Sequence, residues 1–267
     1  MAKHFKDFNK EVKDFLTKNY EKSGEWKIEN KTKCTEDKTL WVNPKADAKG
    51  ISVDVEFNVK EYNIKTKTNV SNGKVAPKVT YECCDHKVDV GVDKLASDAK
   101  YEVEYEGTVA GAKLYDKLTP KDFTCGVGYK VAKFCQVGAS ATIALPSPKL
   151  STYSFGARYL DDDGRQLTLL AKDLKHYTTG AIFPLPEIAD VKAKLGAQVD
   201  CGHKEFTYAV GLEFPCLLVK DATWKLKVNE KMEASAALLL KLNDKWKAAI
   251  STTCAECCKF GVSFTRE

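Results

Sequence analysis

The sequence predicts an all-β chain closed into a transmembrane barrel and preceded by one amphipathic helix. Three observations carry this expectation. Apolar and polar residues alternate with a period of two along most of the chain, the runs are about ten residues long, and no helical period survives past residue 24. In residues 3–20, Phe5, Phe8, Val12, Phe15 and Leu16 recur at spacings of three to four, with Lys6, Lys10, Lys13, Asp14 and Lys18 between them. That segment alone reads as a helix docked on a protein core, ending before Ser23-Gly24.

Residues 51–70, ISVDVEFNVKEYNIKTKTNV, show the pattern that follows. Ile51, Val53, Val55, Phe57 and Val59 form one row and Ser52, Asp54, Glu56, Asn58 and Lys60 the other; Tyr62, Ile64, Thr66, Thr68 and Val70 then resume the apolar row. The same alternation returns in 87–93, 101–106, 137–145, 153–159, 191–199, 206–214, 224–228 and 260–264. Asn72-Gly73, Thr119-Pro120, Pro146-Ser147-Pro148, Asp161 to Gly164, Pro184 to Pro186, Pro215 and Asn243-Asp244 separate the runs with turn chemistry. Pro44 and Pro77 fall nearer strands and predict irregular ladders there.

Strand length selects the architecture. Ten residues at roughly 3.4 Å each, tilted near 45°, span about 25 Å, the height of a barrel's lipid-facing band. Residues 25–266 divide into about nineteen such strands, and no helix remains to cover an apolar sheet face as a soluble protein would require. Trp26, Trp41, Tyr62, Tyr81, Tyr129, Tyr159, Tyr177, Phe214, Trp224 and Trp246 lie near proposed strand ends, where membrane barrels carry aromatic girdles. A soluble all-β binding or structural protein is the reading from another class. Monodispersity without detergent would favour it.

Other classes find little support. The longest apolar run, AALLL at 236–240, is far shorter than the roughly 20 residues of a membrane helix. The 42 basic residues are interspersed with 37 acidic ones, which argues against nucleic-acid specificity. MAKHFKDFNKEVKDFL lacks the apolar stretch of a secretory signal, so the ten cysteines read as reduced thiols. CAECC at 254–258 supplies too few ligands for a closed zinc site, and His4, His86, His176 and His203 show no metal-binding spacing. It reads as an exposed reduced turn, as does Cys83-Cys84. Gly126-Val127-Gly128 lacks the rest of a dinucleotide fingerprint, and Asp161 to Gly164 lacks calcium-loop spacing. We expect no catalytic residues, no cofactor and no metal.

The amino-terminal segment FKDFNKEVKDFLTKNY resembles the mitochondrial porins, the voltage-dependent anion channels. Asp7, Phe8, Lys10, Lys13, Asp14, Phe15, Thr17, Lys18 and Tyr20 occupy the places of that family's motif. WKIENKTK looks like its first strand and KFGVSFTRE like its last, with a weaker likeness strand by strand between them. The resemblance implies nineteen strands, a count for which the family is known and so no independent confirmation. It implies parallel pairing of Trp26–Lys33 with Lys259–Thr265, and a helix folded inside the pore. Residues 1–24 would be helix and linker, and 25–267 the barrel, forming one structural domain.

The implied function is voltage-dependent passive exchange of ATP, ADP, phosphate and small anions across the mitochondrial outer membrane. Partners would be the lipid bilayer, the permeating anions and nucleotides, and further copies of the chain. Lys10, Lys13 and Lys18 would line the pore from the helix. Lys65, Lys67, Arg158, Lys172, Lys192, Lys194, Lys225 and Lys227 are the barrel candidates, since their rows are polar and cations lower the energy of passing anions. A protein-conducting pore on the same barrel is the nearer alternative. The chain departs from the family in three places. Its hinge is reduced to Gly24, its fourth-strand lipid row reads Thr66, Thr68, Val70 without glutamate, and Thr265-Arg266 follow Phe264 where the sorting signal should end hydrophobic.

Overall fold

A computed structural model describes residues 2–20, 25–34, 39–187, 191–203, 205–255 and 258–266. The proposed hinge at Gly24 lies outside them, as does Cys257 within CAECC.

The chain forms a closed barrel of nineteen strands, each paired with its sequence neighbours. The first, β1, runs in two pieces, Trp26–Asn30 and Thr32–Lys33, which hold one continuous register against the second strand, with Ile28 opposite Ala46 and Thr32 opposite Val42. Then come β2 Leu40–Asp47, β3 Gly50–Val59, β4 Ile64–Ser71, β5 Lys74–Cys83, β6 His86–Val92 and β7 Tyr101–Val109. They are followed by β8 Ala112–Leu118, β9 Asp122–Lys130, β10 Cys135–Ala144, β11 Lys149–Leu160, β12 Gln166–Lys172 and β13 His176–Pro184. The last six are β14 Lys194–Cys201, β15 Phe206–Pro215, β16 Ala222–Asn229, β17 Ala234–Lys241, β18 Trp246–Cys254 and β19 Cys258–Arg266. Neighbours are antiparallel except at the closure, where β1 and β19 run parallel from Trp26 opposite Val262 to Asn30 opposite Arg266. Closure leaves no edge strand to template aggregation.

The stretch 51–70 is a hairpin. A 3-10 turn at Lys60–Tyr62 and Asn63, at φ 55°, join β3 to β4, so Phe57 faces Thr66 and Glu56 faces Lys67. The sense of each row is set by the helix, which lies on the Gly128, Gly138, Gly180, Gly196 and Gly211 side of the wall and so marks that side as the lumen. The ladders carry this assignment around the sheet. Ile51, Val53, Val55, Phe57 and Val59 face outward, and Ser52, Asp54, Glu56 and Asn58 face inward. Outward Ile51, Phe57, Val79, Leu167, Leu169, Val210 and Ile250 are all exposed, with no second layer over them. A belt of that extent belongs in lipid. Among the described residues no helix is long and apolar enough to cross a membrane.

Outward aromatics gather at both rims. Trp26, Tyr101, Phe123, Tyr153, Tyr177, Phe206 and Phe260 lie toward one, and Phe57, Tyr81, Tyr129, Tyr159, Phe183, Phe214, Trp224, Trp246 and Phe264 toward the other. Trp41 does not belong with them. It sits opposite Glu56 in the row of Asn43 and Lys45 and therefore faces inward. One acid interrupts the outward rows of the described strands. Asp116 on β8 stands between Tyr105, the central residue of β7, and Cys125 of β9, and its carboxyl makes no hydrogen bond or ion pair among the described residues.

Several further expectations change. The helix is shorter than 3–20, consisting of a 3-10 turn at Phe5–Asp7 and an α-helix, α1, at Lys10–Thr17. Asn9 breaks it because its side chain bonds to the wall instead of capping the helix, and Lys18 ends it in extended geometry. Pro44 opposite Val53 and Pro77 opposite Thr68 leave their ladders in register, whereas the irregularity falls at Thr142/Ile143. The run beginning at Val191 becomes a strand only at Lys194. Cys254 and Cys258 are not both reduced: they face each other across the last hairpin with Cα atoms 4.2 Å apart and form a disulfide. Cross-strand pairing brings the two thiols together whatever the composition of the turn.

Candidate functional site: a lumen divided by the amino-terminal helix

The helix is not centred in the lumen. It lies against the wall from β9 to β16, on strands whose wet rows carry glycine where other strands carry long polar side chains. Phe5 rests over Gly128 and Gly138, Val12 over Gly180, and Phe15 over Gly196 and Gly211. A Cβ at Gly128 would stand 2.6 Å from the Lys3 carbonyl oxygen, and one at Gly180 would stand 2.9 Å from Val12. No side chain fits there without moving the helix. Phe5, Phe8, Val12 and Leu16 are consequently buried, and the apolar face read from the sequence is the face that docks.

Polar groups of the wall complete the seat. Asn9 Nδ2 donates to Gln198 at 3.1 Å, the Thr168 hydroxyl donates to Asn9 Oδ1 at 2.9 Å, and Gln166 donates to the Phe8 carbonyl at 3.4 Å. Glu11 is gripped from both sides: Lys3 pairs with it, and the Arg158 guanidinium donates to it at 2.8 Å. Burial raises the Glu11 pKa, but the hydrogen bonds and charges of Lys3 and Arg158 outweigh that and hold it below the ordinary carboxylate value. Lys6 pairs with Glu106 and lies 3.8 Å over the Tyr115 ring. At the far end Lys225 donates to the Lys18 carbonyl at 3.3 Å and stacks on Phe15 and Tyr20, and Lys227 lies 4.8 Å from the Tyr20 ring centre.

The proposed pore residues therefore separate into groups. Lys10 and Lys13 project from the exposed face of α1; Lys10 keeps only a loose pair with Asp7, at 3.7 Å. Lys18 opens into a recess of about 580 Å³ that it shares with Lys27, Lys31, Lys241 and Lys247, tempered by Glu29 and Asp221. Lys172 and Lys194 are exposed in the wet rows of β12 and β14 and make no ion pair among the described residues. Arg158 and Lys225 do face inward, but the helix covers both, leaving Arg158 at 2% and Lys225 at 4% exposure. They hold the helix and offer no open charge. Lys192 is not on a strand at all. It lies in the loop before β14, paired loosely with Glu187 at 3.8 Å.

Lys65 and Lys67 belong to the opposite, bare wall, where acids neutralise them. Lys65 meets Glu82 at 2.6 Å, and Lys67 meets Asp54 at 3.2 Å and Glu56 at 2.9 Å. The lattice continues on both sides, with Lys45 on Glu29 and Asp54, Lys78 and Lys87 on Asp89, and Lys117 on Glu102 and Glu104. From β9 onward the balance shifts. Inward rows there carry Lys130, Lys149, Arg158, Lys172, Lys194, Lys225, Lys227, Lys241, Lys247 and Lys259 against Asp122, Asp200 and Glu213.

Sequence reasoning missed Glu11, Asn9, Thr168 and Gln198, which face each other only after closure. The glycines did leave a signal, because glycine in the wet row of β9, β10, β13, β14 and β15 marks a place where something packs closely. Among the described residues no group of histidine, cysteine or acid side chains is arranged to hold a metal. Compared with known proteins, the chain matches no family model and no curated sequence.

Proposed function

We propose that the chain is a diffusion channel of the mitochondrial-porin type, passing phosphate, ATP, ADP and other small anions across the mitochondrial outer membrane. The observation that carries this reading is the division of the lumen. A helix bonded flat against one wall leaves the rest of a nineteen-strand barrel open, and the inward rows beside it, from β9 onward, carry more cations than acids, Lys172 and Lys194 among them with no ion pair among the described residues. Exposed cations along a wide aqueous path lower the energy of an anion without enclosing it, which favours passage over retention. The residues at the helix seat suit a voltage response as well, since α1 carries Lys10, Lys13 and Lys18 and is held by a few polar contacts.

Reconstitution in a planar bilayer tests the reading. We expect stepwise conductance, a reversal potential of anion-selective sign in a potassium chloride gradient, and closure at high voltage of either polarity. Absence of steps, or a preference for cations, would overturn it.

A further inference from the structure

The hairpin joining β15 to β16 ends in a loop whose composition is wrong for water. The Cys216 N–H closes it onto the Ala222 carbonyl at 2.8 Å, and beyond that closure Leu217 and Leu218 stand 81% and 95% exposed. The next hairpin on the same rim, between β17 and β18, presents Leu242, also exposed. The two loops are joined at their bases by the Lys241 N–H, which donates to the Asp221 carbonyl at 3.2 Å, so their apolar tips crown the same stretch of one rim.

What the patch adjoins says what covers it. The outward rows just below it end in Phe214, Trp224 and Trp246, the aromatics of that rim's girdle, so the patch continues the lipid-facing surface of the wall without a break. Lys220 and Lys245 flank it, exposed, at the level where phosphate groups would lie. Apolar tips with lysines beside them, set on an aromatic belt, have the make-up of a segment lying in the headgroup–acyl boundary. The water-facing alternative would expose leucines that no neighbouring group shields.

We propose that the paired β15–β16 and β17–β18 loops form an interfacial anchor, with Leu217, Leu218 and Leu242 inserted into phospholipid at one rim of the barrel. The anchor fixes the height and tilt of this side of the barrel in its leaflet. It rests on the membrane-barrel reading, and the experiment separates the two.

Leu218→Trp and, as a wall reporter, Leu169→Trp are placed singly in the full chain. Each is reconstituted in phosphatidylcholine vesicles with and without lipid spin-labelled high on the acyl chain, and the signal of the four native tryptophans in the parent protein is subtracted. The expected result is at least about twofold quenching of the residue-218 reporter by the shallow label, with little quenching by aqueous iodide. Iodide quenching of residue 218 alongside lipid quenching of residue 169 would overturn the anchor and leave the barrel reading intact. Protection of residue 218 from both quenchers would assign the patch to a protein contact and also overturn the anchor. If the wall reporter too is reached only by iodide, both readings fall.

Discussion

Arg158 is buried beneath the helix with Glu11 as its one ion-pair partner among the described residues, a geometry in which removing Glu11 leaves the guanidinium charge without compensation. Glu11→Gln should loosen the helix by about 1–3 kcal/mol, the cost of a buried donor left poorly satisfied. The double variant Glu11→Gln/Arg158→Met should recover part of that loss. Limited proteolysis of residues 2–20 in the reconstituted protein checks the order. The pH dependence has a definite sign. Because the folded-state pKa of Glu11 lies below its ordinary value, the latch contributes fully above that value and is lost as pH falls through the lowered one. Proteolytic release of the helix should therefore stay flat from neutral pH down to about 4.5 and rise only in stronger acid. Release beginning near pH 6 would show that another group controls it. Asp116 makes the opposite case, since its carboxyl faces lipid without a partner. Asp116→Leu should stabilise the barrel in bilayers by about 1 kcal/mol, read from the urea midpoint of unfolding in vesicles. Arg158 was legible in sequence as an inward cation, because row parity gives direction. Its burial was not legible, because burial depends on a helix about 150 residues away in the chain.

At the scale of the element, the helix owes its position to glycines spread over five strands. Gly196 lies beneath Phe15, and a side chain there would push the ring off the wall. Gly196→Val should unseat the carboxyl-terminal turn of α1 while leaving β14 in register, since valine favours strands. The expected readout is faster cleavage after Lys13 and Lys18, with unchanged far-ultraviolet dichroism. Valine at outward Ala197 should do neither. The helix's apolar face was readable from its three-to-four period, and its interruption at Asn9 was not. Local pattern cannot reveal that the Asn9 side chain is engaged by Gln198 and Thr168. The Cys254–Cys258 bridge was missed for the same reason in miniature, because only the register of β18 on β19 makes those two residues opposite.

For the whole molecule, strand number and facing were largely legible, because a period of two maintained through hairpin after hairpin leaves little freedom once the ends are joined. The sequence could not show that lysines of equal appearance fall on two electrically different walls. Lys65→Glu or Lys67→Glu should shift anion selectivity slightly and destabilise the lattice around Asp54 and Glu82, whereas Lys172→Glu or Lys194→Glu should lower the anion-to-cation permeability ratio clearly. Reversal potentials measured for the four variants check this. The division has a consequence for how ions travel. Strands about 4.8 Å apart and tilted about 40° set nineteen strands on a circle of radius roughly 19 Å. At physiological salt the field of a charge is screened within about 8 Å. An ion near the bare wall is thus electrically blind to the helix side, and the barrel behaves as two lanes side by side, one nearly neutral and one that draws anions.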